Sequence, residues 1–313
     1  MLPALSIEIS SLTLEKRAVG AYLGLAVGDA LGATVEFMLP REIQAQYGVH
    51  DRIRGGGWLH LKPGQVTDDT GMALALGDCI LERGGIDAPA IAGAFDAWLR
   101  SKPVDVGHTV RRGILHFRRA GAPWVPENHF DAGNGACMRV LPVALATLGQ
   151  PAPQVQAACR TQAHVTHNNP LSDAGVECVA LMIQAALRGA GRLELLHGAV
   201  KNLLTAHPLF RFRGRRRDNP GAYIVETLQA VFQALFDMND FRDCLVDVVN
   251  RGGDADTTGA IAGMIAGALY GVDAIPYPWL QALDTAIHRR CREQAGQLLR
   301  LALAGNGPSK NLT

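Results

Sequence analysis

Two short acidic segments carry the residues in this sequence that could do chemistry. The first is TDDT, residues 67–70, and the second is GGDADTTG, residues 252–259. Both open a predicted helix, where one carboxylate can cap backbone N–H groups that lack partners. Capping does not explain two carboxylates together, because neighbouring negative charges repel unless a cation or a shared proton lies between them. The two segments therefore predict a cation site or a proton-sharing site.

The side-chain types favour a hard divalent cation. Carboxylates and threonine hydroxyls are oxygen ligands, which suit Mg²⁺ or Mn²⁺ better than zinc. Residues two positions apart do not face each other on a regular helix, so Asp254 and Asp256 converge only in an irregular first turn. The glycine pair at 252 and 253 permits such a turn. A two-metal site between the segments would take as ligands Thr67, Asp68, Asp69, Asp254, Asp256 and Thr257.

The second segment also matches parts of two other motifs. Asp254, Asp256 and Thr258 fit the first positions of an EF-hand calcium loop, but position 12 is Ile265, where a bidentate glutamate is required. The same three residues fit the D-x-D-x-T nucleophile motif of haloacid-dehalogenase-type phosphatases. That motif should follow an apolar parallel strand, whereas NRGG precedes it here. The phosphatase is kept as an alternative function.

The elements that must position these residues are predicted to be helices. Apolar residues recur at helical spacing, period-two strands are nearly absent, and no low-complexity linker divides the chain. We predict one all-α domain over residues 14–305, between an N-terminal extension at 1–13 and a flexible tail at 306–313. Residues 38–67 are expected to be loop. The predicted helices are 14–33, 70–83, 87–100, 108–119, 135–148, 153–164, 172–188, 192–206, 222–237, 240–249, 257–272 and 277–304.

Two of these helices carry glycine at every fourth position. The first has Gly20, Gly24, Gly28 and Gly32, and the second has Gly259, Gly263, Gly267 and Gly271. Glycine costs a helix about 1 kcal/mol relative to alanine, so a stripe of four indicates close backbone packing. We expect both helices to lie in the core, with each other as candidate partners.

Composition limits the class of protein and its location. The chain has 30 basic and 29 acidic residues, so no overall field attracts nucleic acid or anionic membranes. Six cysteines without a C-x-x-C pair predict buried, reduced thiols in a cytoplasmic protein. The longest uncharged apolar stretch, residues 257–272, is too short to span a bilayer. The basic cluster RFRGRRRD, residues 211–218, is interpreted as a solvated loop, with a docking patch for an acidic partner or phosphate as the alternative.

Five segments in this order resemble the ADP-ribosylglycohydrolase family, over about residues 15–300. They are GAYLGLAVGDALGATVEF, TDDT, NGACMRVLPVAL, THNNPLSDA and NRGGDADTTGAIAGMIAGALYG. The resemblance implies an all-α fold that removes ADP-ribose from a modified side chain with two Mn²⁺ or Mg²⁺ ions. It also implies that the six proposed ligands hold those ions from opposite sides.

The resemblance further assigns residues whose types alone are ambiguous. Glu36 could be a surface residue at a helix end, but the family has a glutamate here at the metal and substrate site. Asp105, in PVDVG, could be a turn residue, but the resemblance places it near the scissile bond. Whether Asp105, Glu36 or the metal-binding Asp69 carries the proton is left open. Asp29 is either a structural acid or a supporting group behind the ligands.

The expected substrate contacts also follow from the resemblance. Asn134 and Gly135 lie at the start of the helix predicted at 135–148, whose backbone N–H groups would suit a diphosphate. His167 is assigned to ADP-ribose, against the alternative of a core histidine. His108 is assigned to the substrate edge, although an asparagine is usual at its position.

Two segments, GGGWLHLKPGQVTDDT and SKPVDVG, are most similar to family members that act on dinitrogenase reductase, the iron protein of nitrogenase. The resemblance thus implies a substrate that is ADP-ribosylated dinitrogenase reductase, modified on arginine. It implies a PII-type signalling protein as regulatory partner, and reversible membrane association through partners. A non-catalytic ADP-ribose binding module is the remaining alternative.

Overall fold

The computed structural model describes residues 10–305. Within this range there is no β-strand, only two isolated bridges, Gly56 with Leu61 and Gly133 with Tyr223. The predicted all-α class is confirmed. The phosphatase alternative therefore lacks, within residues 10–305, the strand that its motif needs. Most of the predicted N-terminal extension and all of the predicted tail lie outside the described residues.

Fifteen α-helices form the described part of the chain. They are α1 (Ser11–Gly32), α2 (Pro40–Tyr47), α3 (Asp68–Arg83), α4 (Ala88–Arg100), α5 (His108–Ala120), α6 (Leu141–Ala146), α7 (Ala152–Ala163), α8 (Pro170–Leu187), α9 (Arg192–Leu195), α10 (Lys201–Ala206), α11 (Ile224–Asp237), α12 (Phe241–Val249), α13 (Ala255–Tyr270), α14 (Tyr277–Ala282) and α15 (Thr285–Gly305). A π-helical turn at Leu196–Val200 joins α9 to α10, and 3₁₀ turns lie at Pro208–Phe210 and Val272–Ala274.

Several predicted boundaries were wrong. Helix α2 lies in a predicted loop and is started by Pro40 in its first turn and by Glu42, whose Oε2 accepts from the Leu39 N–H at 2.8 Å. The predicted helix at 192–206 is kinked at Gly198. The predicted helix at 277–304 is divided because Asp284 accepts from the N–H of Ala286 at 2.9 Å and so caps a new helix.

The two glycine-striped helices, α1 and α13, pack against each other in antiparallel directions, as the stripes indicated. A Cβ added at Gly24 would lie 2.2 Å from the carbonyl oxygen of Gly263, and one at Gly28 would lie 2.0 Å from that of Gly259. No side chain fits in these gaps. Gly271 is different: it ends α13 with a φ of 80° and has no such close contact.

This pairing places the acidic residues. Because α1 and α13 run antiparallel, the end of α1 lies beside the start of α13. Glu36 follows α1 and Asp256 lies in the first turn of α13, so both reach the same end of the pair. Helix α3 is tied there as well, since Asp29 of α1 accepts from the N–H groups of Thr67 at 3.0 Å and Thr70 at 3.1 Å.

Helix α8 is the one described helix that is long and apolar enough to cross a membrane by length and composition. In the fold, 61% of it is buried. Burial among other helices explains its composition, since a core helix passes the same test. All six cysteines are free and buried, as predicted.

Replacing Gly263 by alanine tests the helix pairing. The added methyl group meets the backbone carbonyl of Gly24 at 2.0 Å, and backbone cannot rotate away as a side chain can. We expect the free energy of unfolding to fall by about 2 kcal/mol or more, despite the better helix propensity of alanine. Urea denaturation measures this change.

The matched control is Gly93→Ala, in the interior of α4, where an added Cβ meets no atom within 4 Å. We expect this variant to be more stable by about 0.5–1 kcal/mol. Equal stability of Gly263→Ala and the parent protein would contradict the proposed packing.

Candidate active site

A cavity of about 560 Å³ opens at the end of the α1–α13 pair where the acidic residues collect. Its wall includes most of the predicted site residues, namely Glu36, Asp68, Asp105, His108, Asn134, Gly135, His167, Asp254, Asp256 and Thr257. The other two predicted ligands, Thr67 and Asp69, are buried and are not among the lining residues. The fold thus brings residues from distant parts of the sequence to one place.

The two acidic segments meet at Asp69. Its Oδ2 accepts from the hydroxyl of Thr67 at 3.2 Å and from the hydroxyl of Thr257 at 3.4 Å. Thr67 belongs to the first segment and Thr257 to the second. The two groups of proposed ligands therefore form one contiguous cluster.

The second segment adopts the irregular turn that convergence of its aspartates requires. Gly252 and Gly253 have φ values of 70° and 66°, in the left-handed region that favours glycine. A Cβ at Gly253 would also lie 2.2 Å from the carbonyl oxygen of Pro220. The turn is fixed on both sides, because Phe37 N–H donates to Gly253 at 2.7 Å and Asp254 N–H donates to Pro220 at 2.8 Å.

Three carboxylates converge most closely. Glu36, Asp105 and Asp256 each place an oxygen within 4.8 Å of the others, an arrangement that can hold a metal ion. Glu36 is also oriented by Trp58, whose indole N–H donates to its Oε2 at 2.7 Å. From the sequence, Glu36 and Asp105 are predicted to be catalytic, with Glu36 at the metal and substrate site. The geometry makes both available as ligands too.

Burial and mutual repulsion raise the pKa values of these acids. Burial raises the pKa of Glu36 to about 8, and the charges of neighbouring aspartates add to this although the Trp58 hydrogen bond opposes it. Burial, with the charge of Asp105, raises the pKa of Asp68 to about 7. Burial and nearby carboxylates also raise the pKa values of Asp69 and Asp256 well above the usual range. Crowded acids of this kind are unfavourable without a cation.

The donor atoms of the cluster are also suited to binding a divalent cation. One oxygen of Asp69, Oδ1, is buried and has no hydrogen-bond partner, which is rare for a carboxylate in a folded protein. A bound cation would satisfy it. Carboxylate and hydroxyl oxygens are the donors that Mg²⁺ and Mn²⁺ prefer. The acidic cluster can therefore bind such an ion.

Asp29 supports the first segment from behind. It is fully buried, and besides two backbone groups it accepts from the hydroxyl of Thr70 at 2.6 Å. Burial raises its pKa to about 6, against the lowering effect of these hydrogen bonds. Of the two predicted roles, the contacts favour that of a structural acid that holds the start of α3.

The segment around Asn134 differs from the prediction. Residues 135–139 form turns, and α6 begins only at Leu141, so no helix starts at 135. The Asn134 amide donates to Oδ2 of Asp254 at 2.6 Å and to Thr227 at 3.0 Å. Asn134 thereby positions a proposed metal ligand, and its substrate contact stays a prediction.

His167 lines the cavity, and its Nδ1 is in hydrogen-bond contact with the Thr166 hydroxyl. Arg139 Nη2 donates to the Thr166 hydroxyl oxygen at 2.7 Å, so the hydroxyl proton is free to donate to His167 Nδ1, also at 2.7 Å. Nδ1 is then an acceptor, and the ring proton of the neutral form lies on Nε2. Burial lowers the pKa of His167 well below its usual value, which keeps the ring neutral.

Space for this ring is left by two glycines. A Cβ at Gly133 would lie 2.8 Å from His167 Nε2, and one at Gly135 would lie 2.9 Å from its Cε1. Gly133 and Gly135, on either side of Asn134, therefore make room for His167 at the cavity wall. This explains Gly135 by packing, beside its predicted part in substrate binding.

Comparison with known proteins identifies the family of this chain. The sequence profile of the ADP-ribosylglycohydrolases matches residues 10–308. The chain belongs to the ADP-ribosylglycohydrolase family. Among its relatives in the family, ADP-ribosyl-[dinitrogen reductase] glycohydrolase of Rhodospirillum rubrum is 50% identical over 93% of this chain and 98% of that protein. ADP-ribosylarginine hydrolase Tri1 of Pseudomonas putida is 34% identical over 87% of this chain and 75% of that protein.

A solved structure shows the same family fold. An ADP-ribosylglycohydrolase-related protein complex superimposes with a TM-score of 0.83 at 34% identity, covering 93% of this chain and 99% of that chain. The helical arrangement is therefore shared by the family.

Some residues of the site were not found from the sequence. Trp58 orients Glu36, and the available signal was the run of three glycines before it, all with positive φ. We interpreted those glycines only as loop residues. Arg139 and Thr166 act through His167, and nothing in their spacing indicates this, because Thr166 meets Arg139 only in the folded chain.

The raised pKa values predict how stability depends on pH and metal. For Glu36 and Asp68 the pKa in the folded state lies above the value of about 4 in the unfolded state. Between these two pKa values the folded protein binds more protons than the unfolded chain does. This contribution to the stability of the metal-free protein is therefore present at pH 4 and is lost as pH rises to 8. We expect Mn²⁺ to raise the melting temperature more at pH 8 than at pH 5.5.

Thermal unfolding in EDTA and in Mn²⁺ across this pH range measures the effect. In EDTA, the variant Glu36→Gln/Asp68→Asn removes both titrations, so its difference from the parent isolates them from the other acids of the metal-free protein. A Mn²⁺ shift that is the same at both pH values would contradict the prediction.

The tautomer of His167 is testable by NMR. We expect the ring ¹⁵N shifts of His167 to show a neutral Nε2–H form that persists to low pH. Thr166→Val removes the donor to Nδ1 and should abolish the single tautomer, whereas Thr166→Ser keeps the hydroxyl and should preserve it. The resonance is identified by its loss in His167→Gln. An Nδ1–H form in the parent protein would show that the assignment is wrong.

Proposed function

We propose that this chain hydrolyses the N-glycosidic bond between ADP-ribose and an arginine of dinitrogenase reductase, the nitrogenase iron protein, and so reverses its inactivation. The observation that carries the proposal is the identity of 50% over 98% of a relative with that activity in its name. A second relative is named for ADP-ribosylarginine, which supports arginine as the linkage. The converged acidic cluster supplies the chemistry that such an activity needs.

In the reaction, water adds to the anomeric carbon of the ribose while the bond from that carbon to the guanidine nitrogen breaks. The nitrogen gains a proton and leaves as arginine. The cavity volume of about 560 Å³ lies in the range of sites that enclose a ligand of this size. Positive charge develops on the ribose ring as the bond breaks, and nearby carboxylates stabilise it.

We propose that two Mn²⁺ or Mg²⁺ ions are the cofactors. Bound at the cluster, they would orient the ribose hydroxyls and activate the water. The residues proposed to hold them are Thr67, Asp68, Asp69, Asp254, Asp256 and Thr257, and the geometry adds Glu36 and Asp105 to this set. Both segments lie within hydrogen-bond contact through Asp69, which supports a shared centre.

Three carboxylates are candidates for proton transfer, and their positions relative to the cavity differ. Glu36 and Asp105 line the cavity, whereas Asp69 is fully buried and contacts two threonine hydroxyls. Asp69 is therefore better placed as a ligand than as a proton carrier. We propose Glu36 and Asp105 for the acid/base steps, since they are the two of these three carboxylates that line the cavity.

We propose that His167 donates its Nε2–H to an oxygen of ADP-ribose, and that His108 lies at the substrate edge. Both residues line the cavity. The proposal also includes a PII-type protein as regulatory partner, and a cytoplasmic location with reversible membrane association through partners.

Release of ADP-ribose tests the function. With ADP-ribosylated iron protein and Mn²⁺, the parent should produce free ADP-ribose, quantified by liquid chromatography. Asp68→Asn and Asp256→Asn should lower kcat by about 100-fold or more, because each removes a charged oxygen from the cluster. Asp273→Asn, an exposed residue paired with Lys16, is the control and should keep full activity.

No release by the parent, or an Asp68→Asn variant as active as the parent, would refute the proposed activity. Tight ADP-ribose binding without turnover would instead support the binding module. Phosphate-ester hydrolysis with an aspartyl-phosphate at Asp254 would support the phosphatase.

A further inference from the structure

Helix α5 carries a basic surface that begins at the mouth of the cavity and extends away from it. The helix contains four arginines and two histidines and has no acidic residue. Val110, Gly113 and Ile114 are buried and fix which side of the helix faces the core. At helical spacing, His108, Arg112 and Arg119 lie on the opposite side and Arg111 lies on a flank. These four exposed residues are what we call the basic face of α5.

Part of this charge is already neutralised within the protein. Arg112 forms an ion pair with Asp131, a residue that also accepts from Thr109 at 2.9 Å. Arg118, on the flank, pairs with Asp96. Arg111 and Arg119 are exposed and have no ion-pair or hydrogen-bond partner in the part of the chain that the structure describes. Two unpaired guanidinium groups are therefore free to meet a partner.

The basic cluster that stands out in the sequence, residues 211–217, is different. It is a loop in which Arg213 pairs with Asp237 at 3.2 Å, Arg216 with Asp247 at 2.5 Å and Arg217 with Glu226 at 3.5 Å. Three of its arginines are thus held by the protein's own acids, whereas Arg211 and Arg215 are exposed without an ion pair in the described part of the chain. None of the five arginines lines the cavity. These contacts favour the interpretation as a solvated loop over a docking patch.

The basic face of α5 is continuous with the active site. His108, its first residue, lines the cavity, and Arg119 lies eleven residues further along the helix, about 16 Å away. When a modified arginine of a protein substrate enters the cavity, the surface around that arginine must lie over the cavity mouth. The first turns of α5 are part of that rim.

We propose that the basic face of α5 docks an acidic surface of the protein substrate beside its ADP-ribosylated arginine. The inference rests on the proposed function and adds to it the region of the enzyme that recognises the protein part of the substrate. Complementary charge at a rim raises the rate of encounter and fixes orientation. The face would contribute nothing for a substrate that lacks a protein surface.

The experiment compares two substrates, ADP-ribosylated dinitrogenase reductase and free ADP-ribosyl-arginine. In the double variant Arg111→Glu/Arg119→Glu we expect kcat/KM for the protein substrate to fall about tenfold or more at low salt. Its kcat/KM for ADP-ribosyl-arginine should stay within about twofold of the parent. In 0.5 M NaCl the difference on the protein substrate should shrink, because salt screens exposed charges.

The chain offers a matched control. Arg292 and Arg300 of α15 are exposed, have the same spacing of eight residues, and lie on a helix that contributes no residue to the cavity wall. The variant Arg292→Glu/Arg300→Glu changes the net charge equally. We expect it to match the parent on both substrates.

Three other outcomes would overturn the docking surface, and a fourth would overturn the proposed function. Parent-level activity of Arg111→Glu/Arg119→Glu on the protein substrate, or an equal loss on both substrates, would overturn the docking surface. An equal loss in the α15 control would show that net charge, and not the basic face of α5, is responsible, and would overturn it too. If the parent hydrolyses neither substrate, the proposed function itself fails.

Discussion

The backbone contact between α1 and α13 is the constraint on which the site depends. Glycines on both helices leave no side chain along the line of closest approach, so the carbonyl of one helix lies where a Cβ of the other would be. Each glycine is unfavourable for helix formation. Close packing of two nearly apolar helices offsets that cost through burial and dispersion. The result is a rigid pair whose shared end carries Glu36 and the turn of Asp254 and Asp256.

Rigidity matters here because the site gathers groups that repel one another. Burial and neighbouring carboxylates raise the pKa values of Asp68, Asp69 and Asp256, so the metal-free cluster opposes folding when it is ionised. The surrounding helices must hold these side chains together until a cation compensates. Repulsion at the cluster lowers the stability of the metal-free protein, and a bound cation relieves this repulsion. The preformed cluster therefore increases the affinity for the ion.

Arg139 is a buried group of the opposite charge, and its burial also costs stability. It is fully buried, lies over the Phe95 ring at 4.4 Å and forms no ion pair with a carboxylate of residues 10–305. Burial lowers its pKa to about 9. Its hydrogen bonds go to Gln162, Thr166 and a backbone carbonyl. A buried cation of this kind is costly. Its hydrogen bond to Thr166 favours the Nε2–H form of His167, and the charge of Asp68 nearby offsets part of the cost.

The sequence by itself determined much of this protein. Paired carboxylates with threonine indicated an oxygen-ligand cation site, and glycine at every fourth position indicated close helix packing, because both signals are local in type and spacing. Helical periodicity was sufficient for the all-α class, although not for the ends of helices, where Glu42 and Asp284 act as caps.

Only the tertiary structure decided which residues meet. Glu36, Asp105 and Asp256 converge from three separate regions, and Trp58 reaches Glu36 across a loop. The free charge of α5 could not be predicted either, since whether an arginine is paired depends on acids that the fold brings near. The sequence specifies residue types and spacing, whereas contacts between distant residues exist only after the chain has folded.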